Sequence, residues 1–343
     1  MAIVTLGDVA IESRETWKSD KNNFPIVGLE HLEPGEISLS KWDINSDNTF
    51  IKMFRKGQVL LGRRRVYLRK AVIAPTDGIC SGDITVIEAI SGKILPELLP
   101  FIIQNDRFFD YAMQGSAGSL SPRVKWEHLK EYKFQLPNLE EQKTLVDKLW
   151  AAYNLKSSYN KLLAATDEIV KSQFIEMFKG EYPHEVWEDC LTITNGKKYP
   201  DEYLETGTYP ICGSGGIMGY GSHKLCSKDT TILGRKGNIN SPIYMDSDYW
   251  IVDTAFSIDV DREKLHPKYF YYWCNLFDFM KYNKQGVLPS LTKNDLLKIK
   301  MPIPPMNEQI KFVQILEQAD KSKFELCKSI EAIDAVIKSL VNN

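Results

Sequence analysis

Two stretches of the chain carry their apolar residues in alternating steps of four and three. The first runs through Leu145, Leu149, Ala152, Lys156, Tyr159, Leu163, Thr166, Val170 and Gln173. The second runs through Phe312, Leu316, Ala319, Lys323, Leu326, Ile330, Ile333, Ile337 and Leu340. A mean spacing of about 3.5 residues keeps one narrow apolar face turned toward a partner helix, so the pattern predicts two paired helices with a coiled-coil seam. Pro137 stands ahead of the first, and Pro302, Pro304 and Pro305 ahead of the second, where an extended segment gives way to helix. The predicted helices fall within the segments 139–180 and 306–343. Each is about 34–38 residues long, on the order of 50–55 Å. Lys156 and Lys323 interrupt the two seams at equivalent positions, as register-setting residues or as snorkelling side chains.

The two helices are copies of one another. LPNLEEQ (136–142) and IPPMNEQ (303–309) stand 167 residues apart, and residues 141–172 repeat as 308–339 without a gap. Matched identities include Glu141/Glu308, Gln142/Gln309, Leu149/Leu316, Lys156/Lys323, Asp167/Asp334 and Ser172/Ser339. A repeat of this length organises the whole chain. Ahead of each helix the correspondence continues with gaps: FPIVG (24–28) with YPICG (209–213), and LLGRRR (60–65) with ILGRKG (232–237). The order is therefore globular, helix, globular, helix, with boundaries near 138, 181 and 306. Short β-branched and aromatic runs separated by turn residues make each globular unit α+β with a compact sheet. One short helical region is expected in each, around 96–114 and 266–283.

Composition is that of an ordinary globular protein: 343 residues, 43% hydrophobic and 26% charged. No apolar run approaches a membrane span, and the acids in the N-terminal stretch exclude a secretory signal, so a cytoplasmic protein is expected. Six scattered cysteines without a CxxC pair read as reduced thiols. The net charge of −2 means that any nucleic-acid surface has to be built from local clusters rather than bulk charge. Catalytic signatures are missing: no N/D-P-P-Y/F, no GxxxxGK[S/T] and no D…ExK. The glycines of GSGGIMGYG (213–221) read as turn formers rather than a nucleotide loop. Cys212, His223 and Cys226 are irregularly spaced and read as buried thiols and a surface imidazole rather than zinc ligands. No metal site and no catalytic residue are assigned.

The paired LPNLEEQKTLVDKL and IPPMNEQIKFVQIL helix starts carry a resemblance, together with YPICGSGGIMGYGSHKLCSKDTTILGRKGNINSPIYMDSDYWIVDTAFSI and the loop QGVLPSLTKNDLLKIKMPIPP. Occurring twice in order over essentially the whole chain, they resemble the specificity subunits of type I restriction–modification enzymes. The resemblance implies two similar α/β target-recognition domains, 1–138 and 181–305. Conserved helical spacers at 139–180 and 306–343 would join them as a long antiparallel two-helix coiled coil with a pseudo-two-fold axis. It implies a non-catalytic reader of a bipartite target in double-stranded DNA, with one half-site per domain. It also implies docking of methyltransferase subunits, two of them expected, and of restriction/translocase subunits through the methyltransferase. S-adenosylmethionine, ATP and Mg would belong to those partners, with no cofactor in this chain and no membrane. The chain is shorter than members usually are, and its first globular unit lacks a clear counterpart of GSGGIMGYGS.

A duplicated unit on an antiparallel helix pair matches the local dyads of B-DNA, and a stiff rod makes half-site spacing a geometric property. Arg63, Arg64 and Arg65, with Arg69 and Lys70, follow a strand and a glycine. Their equivalents are Arg235, Lys236, Asn238 and Asn240, with Ser214 nearby in the glycine-rich segment. Arg bonds guanine and Asn bonds adenine bidentately in the major groove. Ser119, Ser121, Arg123 and Lys125, and in the second unit Lys284, Gln285, Ser290, Thr292 and Lys293, fit loops touching phosphates. The seam of the helix pair is assigned to Leu145, Leu149, Ala152, Leu163, Val170, Phe312, Leu316, Ala319, Ile330 and Ile337. The competing reading for any one DNA-contact residue is a solvated surface residue. For Arg63 and Arg235 it is a structural pin on turn carbonyls or carboxylates. The alternatives for the whole chain are a nuclease with an unrecognised site, for which Asp248, Asp253 and Glu88 are the acids at hand, and a coiled-coil adaptor that binds protein rather than DNA.

Overall fold

The computed structural model describes residues 2–18, 23–118, 121–283 and 288–342. Two compact units form: Met1–Leu162 with Leu326–Asn343, and Leu163–Glu325. The first long helix is Leu139–Met177 and the second Met306–Asn342, so each unit takes part of both. The first helix stops three residues short of the expected 180, at the turn before Gly180.

Unit 1 contains strands β1 (Ala2–Thr5), β2 (Ala10–Ser13), β3 (Ile26–Val27), β4 (Lys52–Phe54), β5 (Val59–Gly62), β6 (Ala71–Ile73), β7 (Gly78–Cys80), β8 (Ile84–Ala89) and β9 (Lys133–Leu136). β2, β8, β5 and β6 form an antiparallel sheet in that order. β7 stands between β3, which it meets in parallel, and β4, which it meets antiparallel; β1 pairs with β9. The apolar run of β5 is buried throughout because alternate side chains enter different cores. Val59 and Leu61 join the cluster built on Phe101, Phe108 and Leu149, whereas Leu60 joins one with Phe54, Val72 and Val86. A sheet covered on both faces requires this continuous hydrophobicity rather than alternation. The short helical region expected at 96–114 is two helices, Leu99–Ile103 and Asp106–Gln114, the second capped by the side chain of Asn105.

Unit 2 repeats the plan with strands β10 (His184–Val186), β11 (Leu191–Asn195), β12 (Tyr209–Gly213), β13 (Gly216–Gly221), β14 (Thr230–Gly234), β15 (Ile243–Met245), β16 (Trp250–Ile251), β17 (Ala255–Val260) and β18 (Lys300–Pro302). β11, β17, β14 and β15 form the antiparallel sheet, and β10 pairs with β18. Leu233, Phe256 and Ile258 enter a core with Trp187, Phe270 and Phe312, while Ile232 and Ala255 enter a second with Cys212 and Tyr249. The small sheets differ. β12 keeps the parallel pairing, here with β16, but its third strand is the hairpin partner β13. GSGGIMGYG is thus a hairpin turn and an edge strand with Gly216 at φ +106°, and no helix follows it.

The repeated Glu-Gln at the helix starts has a structural role. Gln142 is buried. Its amide donates to Pro137 O (2.9 Å) and Lys93 O (3.4 Å), and its carbonyl accepts from Leu95 N (2.9 Å). Gln309 repeats this with Pro304 O (2.7 Å), Lys264 O (2.9 Å) and His266 N (2.8 Å). Each glutamine ties a helix start to the loop that precedes its unit's short helices.

Within unit 1, Leu149 is buried, while Leu145, Ile337 and Leu340 pack partly buried on the same core. Tyr153, Lys156, Asp334 and Ile337 line one cavity of about 400 Å³, and Lys156 Nζ meets Asp334 at 2.7 Å. Within unit 2, Val170, Phe312 and Leu316 are buried and Ala319 is half-buried; Lys323 Nζ meets Asp167 at 3.0 Å. Ala152, Leu163 and Ile330 are half-buried. The first seam departs from expectation at its end. Gln173 is exposed and Phe174 is buried against Phe312 (5.0 Å between rings), because the last step is four residues rather than three.

Candidate nucleic-acid interface

In each unit the basic clusters gather at one junction of three loops. After β5 the chain leaves the sheet at Gly62. Arg63 N donates to Asp83 O (3.0 Å), Val124 N donates to Arg63 O (3.0 Å) and Arg65 N donates to Pro122 O (2.8 Å). After β14 the same bonds recur: Arg235 N to Thr254 O (2.8 Å), Leu291 N to Arg235 O (2.9 Å) and Gly237 N to Pro289 O (3.0 Å). Arg64 bridges Arg123, and Lys236 bridges Ser290. The glycine ahead of the second cluster is required by close approach, since a Cβ on Gly234 would meet Asn238 O at 2.1 Å.

The side chains at the two junctions differ. In unit 1 Arg123 holds Asp83 with both ends of its fork, Nε–Oδ1 at 2.7 Å and Nη2–Oδ2 at 3.2 Å. Arg64 Nη1 lies 3.5 Å from the same carboxylate, and Arg64 Nε donates to Ser121 Oγ. The Arg123 hydrogen bond, with the charges of the neighbouring arginines, holds the Asp83 carboxyl below its usual range. Arg65 is exposed and adopts φ +53°, the left-handed region that Gly237 fills in unit 2. In unit 2 the position of Asp83 is taken by Thr254, whose hydroxyl accepts from Ser214 N at 3.3 Å. Lys236 and Asn238 are exposed there, and Ser214 lies beside Gly237.

Several expected contact residues spend their polar groups inside the fold. Arg69 pairs with Asp106 and, at 3.1 Å, with Asp110. Lys70 Nζ donates to Leu29 O (2.8 Å) and Lys293 Nζ to Ile193 O (2.7 Å). Asn240 Oδ1 accepts from Phe279 N (2.8 Å), and Thr292 caps the helix Lys293–Leu296. Arg235 lies over the Phe256 ring at 5.9 Å, and Arg63 buries its Nε without a hydrogen-bond partner among the described residues. Both arginines thus serve partly within the fold. Lys125 is exposed at the start of the helix Trp126–Leu129. Ser119, Lys284 and Gln285 lie outside the described residues.

Asp83 and Thr254, which sequence reasoning missed, come from the turns ahead of β8 and β17; Asp83 stands 40 residues from the Arg123 whose fork it holds.

The residues of the competing chemistries also have places. Asp248 accepts from Lys224 Nζ (2.6 Å) and Lys228 N (2.9 Å), and Glu88 accepts from Gln58 (2.9 Å). Cys212 and Cys226 share one buried cluster, where burial pushes the Cys212 thiol up to about 11; His223 instead pairs with Asp201. Among the described residues no helix is long and apolar enough to cross a membrane.

Known proteins share this plan. Against the specificity subunit of the type I restriction enzyme EcoDI from Escherichia coli, the chain is 27% identical over 167 residues, 48% of this chain and 37% of that subunit. The match thus spans little more than a third of that relative's length. Against the MjaX specificity subunit named for Methanocaldococcus jannaschii, a putative type I restriction enzyme component, it is 23% identical over 381 aligned residues, 94% of this chain and 86% of that one. The crystal structure of the type I restriction-modification S subunit from M. genitalium has the same fold, with a TM-score of 0.66 at 13% identity over 99% of this chain and 95% of that one. The family model described as the type I restriction modification DNA specificity domain matches twice, at residues 1–165 and 187–334. With two copies of that domain over most of its length, the chain belongs to the type I restriction-modification DNA specificity family.

Proposed function

We propose that this chain is the sequence-reading, non-catalytic subunit of a type I restriction–modification complex, with each recognition domain (1–138 and 181–305) binding one half of a bipartite site in double-stranded DNA. The observation that carries this reading is the three-loop junction built twice with the same backbone bonds, each bringing exposed cationic or amide side chains to one place. Arg64, Arg65, Arg123 and Lys125 in the first domain, and Ser214, Lys236, Asn238 and Ser290 in the second, are the contact residues on this account. Phosphate contacts would position each domain and forks or amides would read base edges.

The helical spacers, 139–180 and 306–343, form an antiparallel coiled coil with pseudo-two-fold symmetry that sets the gap between the half-sites. In support, the pairs Lys156–Asp334 and Lys323–Asp167 are counterparts under the 167-residue repeat, each inside one unit. Within unit 1, Leu155 and Leu162 stand exposed seven residues apart on the first long helix, a spacing suited to a partner helix. Two methyltransferase subunits dock on the helices, and restriction/translocase subunits join through them in the cytoplasm. S-adenosylmethionine, ATP and Mg act in those partners.

Methylome sequencing of the native host with and without the gene tests this reading. Loss of one bipartite methylated motif, two short defined parts around a fixed gap, is the expected result. An unchanged methylome with active partner subunits overturns it.

A further inference from the structure

A carboxylate at a surface meant for DNA repels phosphate, so Asp83 needs an explanation that a bulk basic patch does not supply. Its backbone carbonyl already serves the loop junction, and Thr254 does the same in unit 2 without a charge. What the Asp83 side chain adds is orientation. It grips the Arg123 fork at two points and draws Arg64 Nη1 to 3.5 Å, while Ser121 fixes Arg64 Nε. Both arginine side chains stay nearly half exposed, at 45% for Arg123 and 41% for Arg64, and among the described residues no other acceptor takes their remaining N–H groups. A phosphate contact tolerates a loose cation; a guanine edge, with O6 and N7 fixed in one plane, demands a preset fork.

We infer that Asp83 is a positioning residue that presets Arg64 and Arg123 to read guanine in the major groove, so that the half-site bound by the first recognition domain contains guanine at the positions these forks address. The inference rests on the DNA-reading function proposed above. Unit 2, with Thr254 at the equivalent position and Lys236, Asn238 and Ser214 around it, lacks this device, and its half-site preference does not depend on Asp83. Asp83 thus gives up some phosphate attraction in return for base discrimination.

The test is selection by the full-length chain from a pool of randomised DNA duplexes, followed by sequencing of the bound fraction for wild type, Asp83→Asn, Asp83→Glu and Arg123→Lys. Wild type should enrich a two-part motif. Asp83→Asn and Arg123→Lys should flatten guanine preference in one part about tenfold and leave the other unchanged, which also reports correct folding. Asp83→Glu should restore part of it. At low salt, Asp83→Asn should bind a fixed unselected duplex more tightly than wild type, because one negative charge is gone; a merely structural residue would not give this opposite pair of changes. Guanine absent from both parts, unchanged preferences in Asp83→Asn, or equal flattening of both parts overturns the inference. A wild-type pool without any two-part motif overturns the underlying reading, and this inference with it.

Discussion

Removing a buried amide leaves its partners without water to replace it, at about 1–3 kcal/mol for each stranded group. Gln142 satisfies Leu95 N and Pro137 O together, so Gln142→Ala should destabilise unit 1 by roughly 2–4 kcal/mol, read as a loss of about 5–15 °C in Tm by calorimetry. Gln309→Ala should do the same to unit 2. Arg65 makes the opposite case, since an arginine at φ +53° is strained by about 1 kcal/mol where Gly237 is not. Arg65→Gly should therefore raise stability by about that amount while weakening DNA binding. Unchanged binding would reduce Arg65 to a loop residue. His266 adds a pH dependence. Its Nδ1 accepts from Lys268 N at 3.2 Å at the start of the helix Pro267–Leu276, and burial lowers its pKa from 6.5. The folded state resists protonation, so the capping contribution is complete above about pH 6.5 and is lost as pH falls below it. A urea series on unit-2 probes should show that loss, and His266→Asn, which caps without titrating, should abolish it.

At the scale of elements, the long helices were legible because the 3.5-residue period and the flanking prolines are local signals. The first ends at Met177 and the second at Asn342. The repeat aligned Arg63 with Arg235, and the matched backbone bonds of the two junctions place Arg123 and Ser290 at corresponding positions as well. What escaped was non-local. The partnership of Asp83 with Arg123 depends on a turn brought across the sheet, and the burial of Phe174 in place of Gln173 depends on the aromatic cluster around Phe312. The missing counterpart of GSGGIMGYGS was legible, since unit 1 completes its small sheet with β4 on the other side of the parallel pair. The exposed stripe on the first long helix gives an element-scale prediction. Leu155→Glu with Leu162→Glu should abolish co-purification of methyltransferase subunits and leave DNA selection by the chain itself intact. Retained co-purification would move the docking surface elsewhere.

For the whole molecule, a reader with two recognition units and a stiff spacer differs from a pair of tethered DNA binders in one respect. Flexible tethering accepts a range of gaps, with affinity changing slowly as the gap grows. A rigid helix pair accepts one gap, because each added base pair shifts and rotates the second half-site about the DNA axis. The Lys156–Asp334 and Lys323–Asp167 pairs each hold one helix against the other within a single unit, and the proposed spacer adds to them a fixed gap that only DNA binding can test. The most direct measurement is equilibrium binding of the full-length chain to duplexes that carry its own selected half-sites at gaps stepped by one base pair. A rigid reader gives a single optimum, with affinity falling about tenfold or more one base pair to either side. A flat profile, or comparable binding to either half-site alone, would contradict the account.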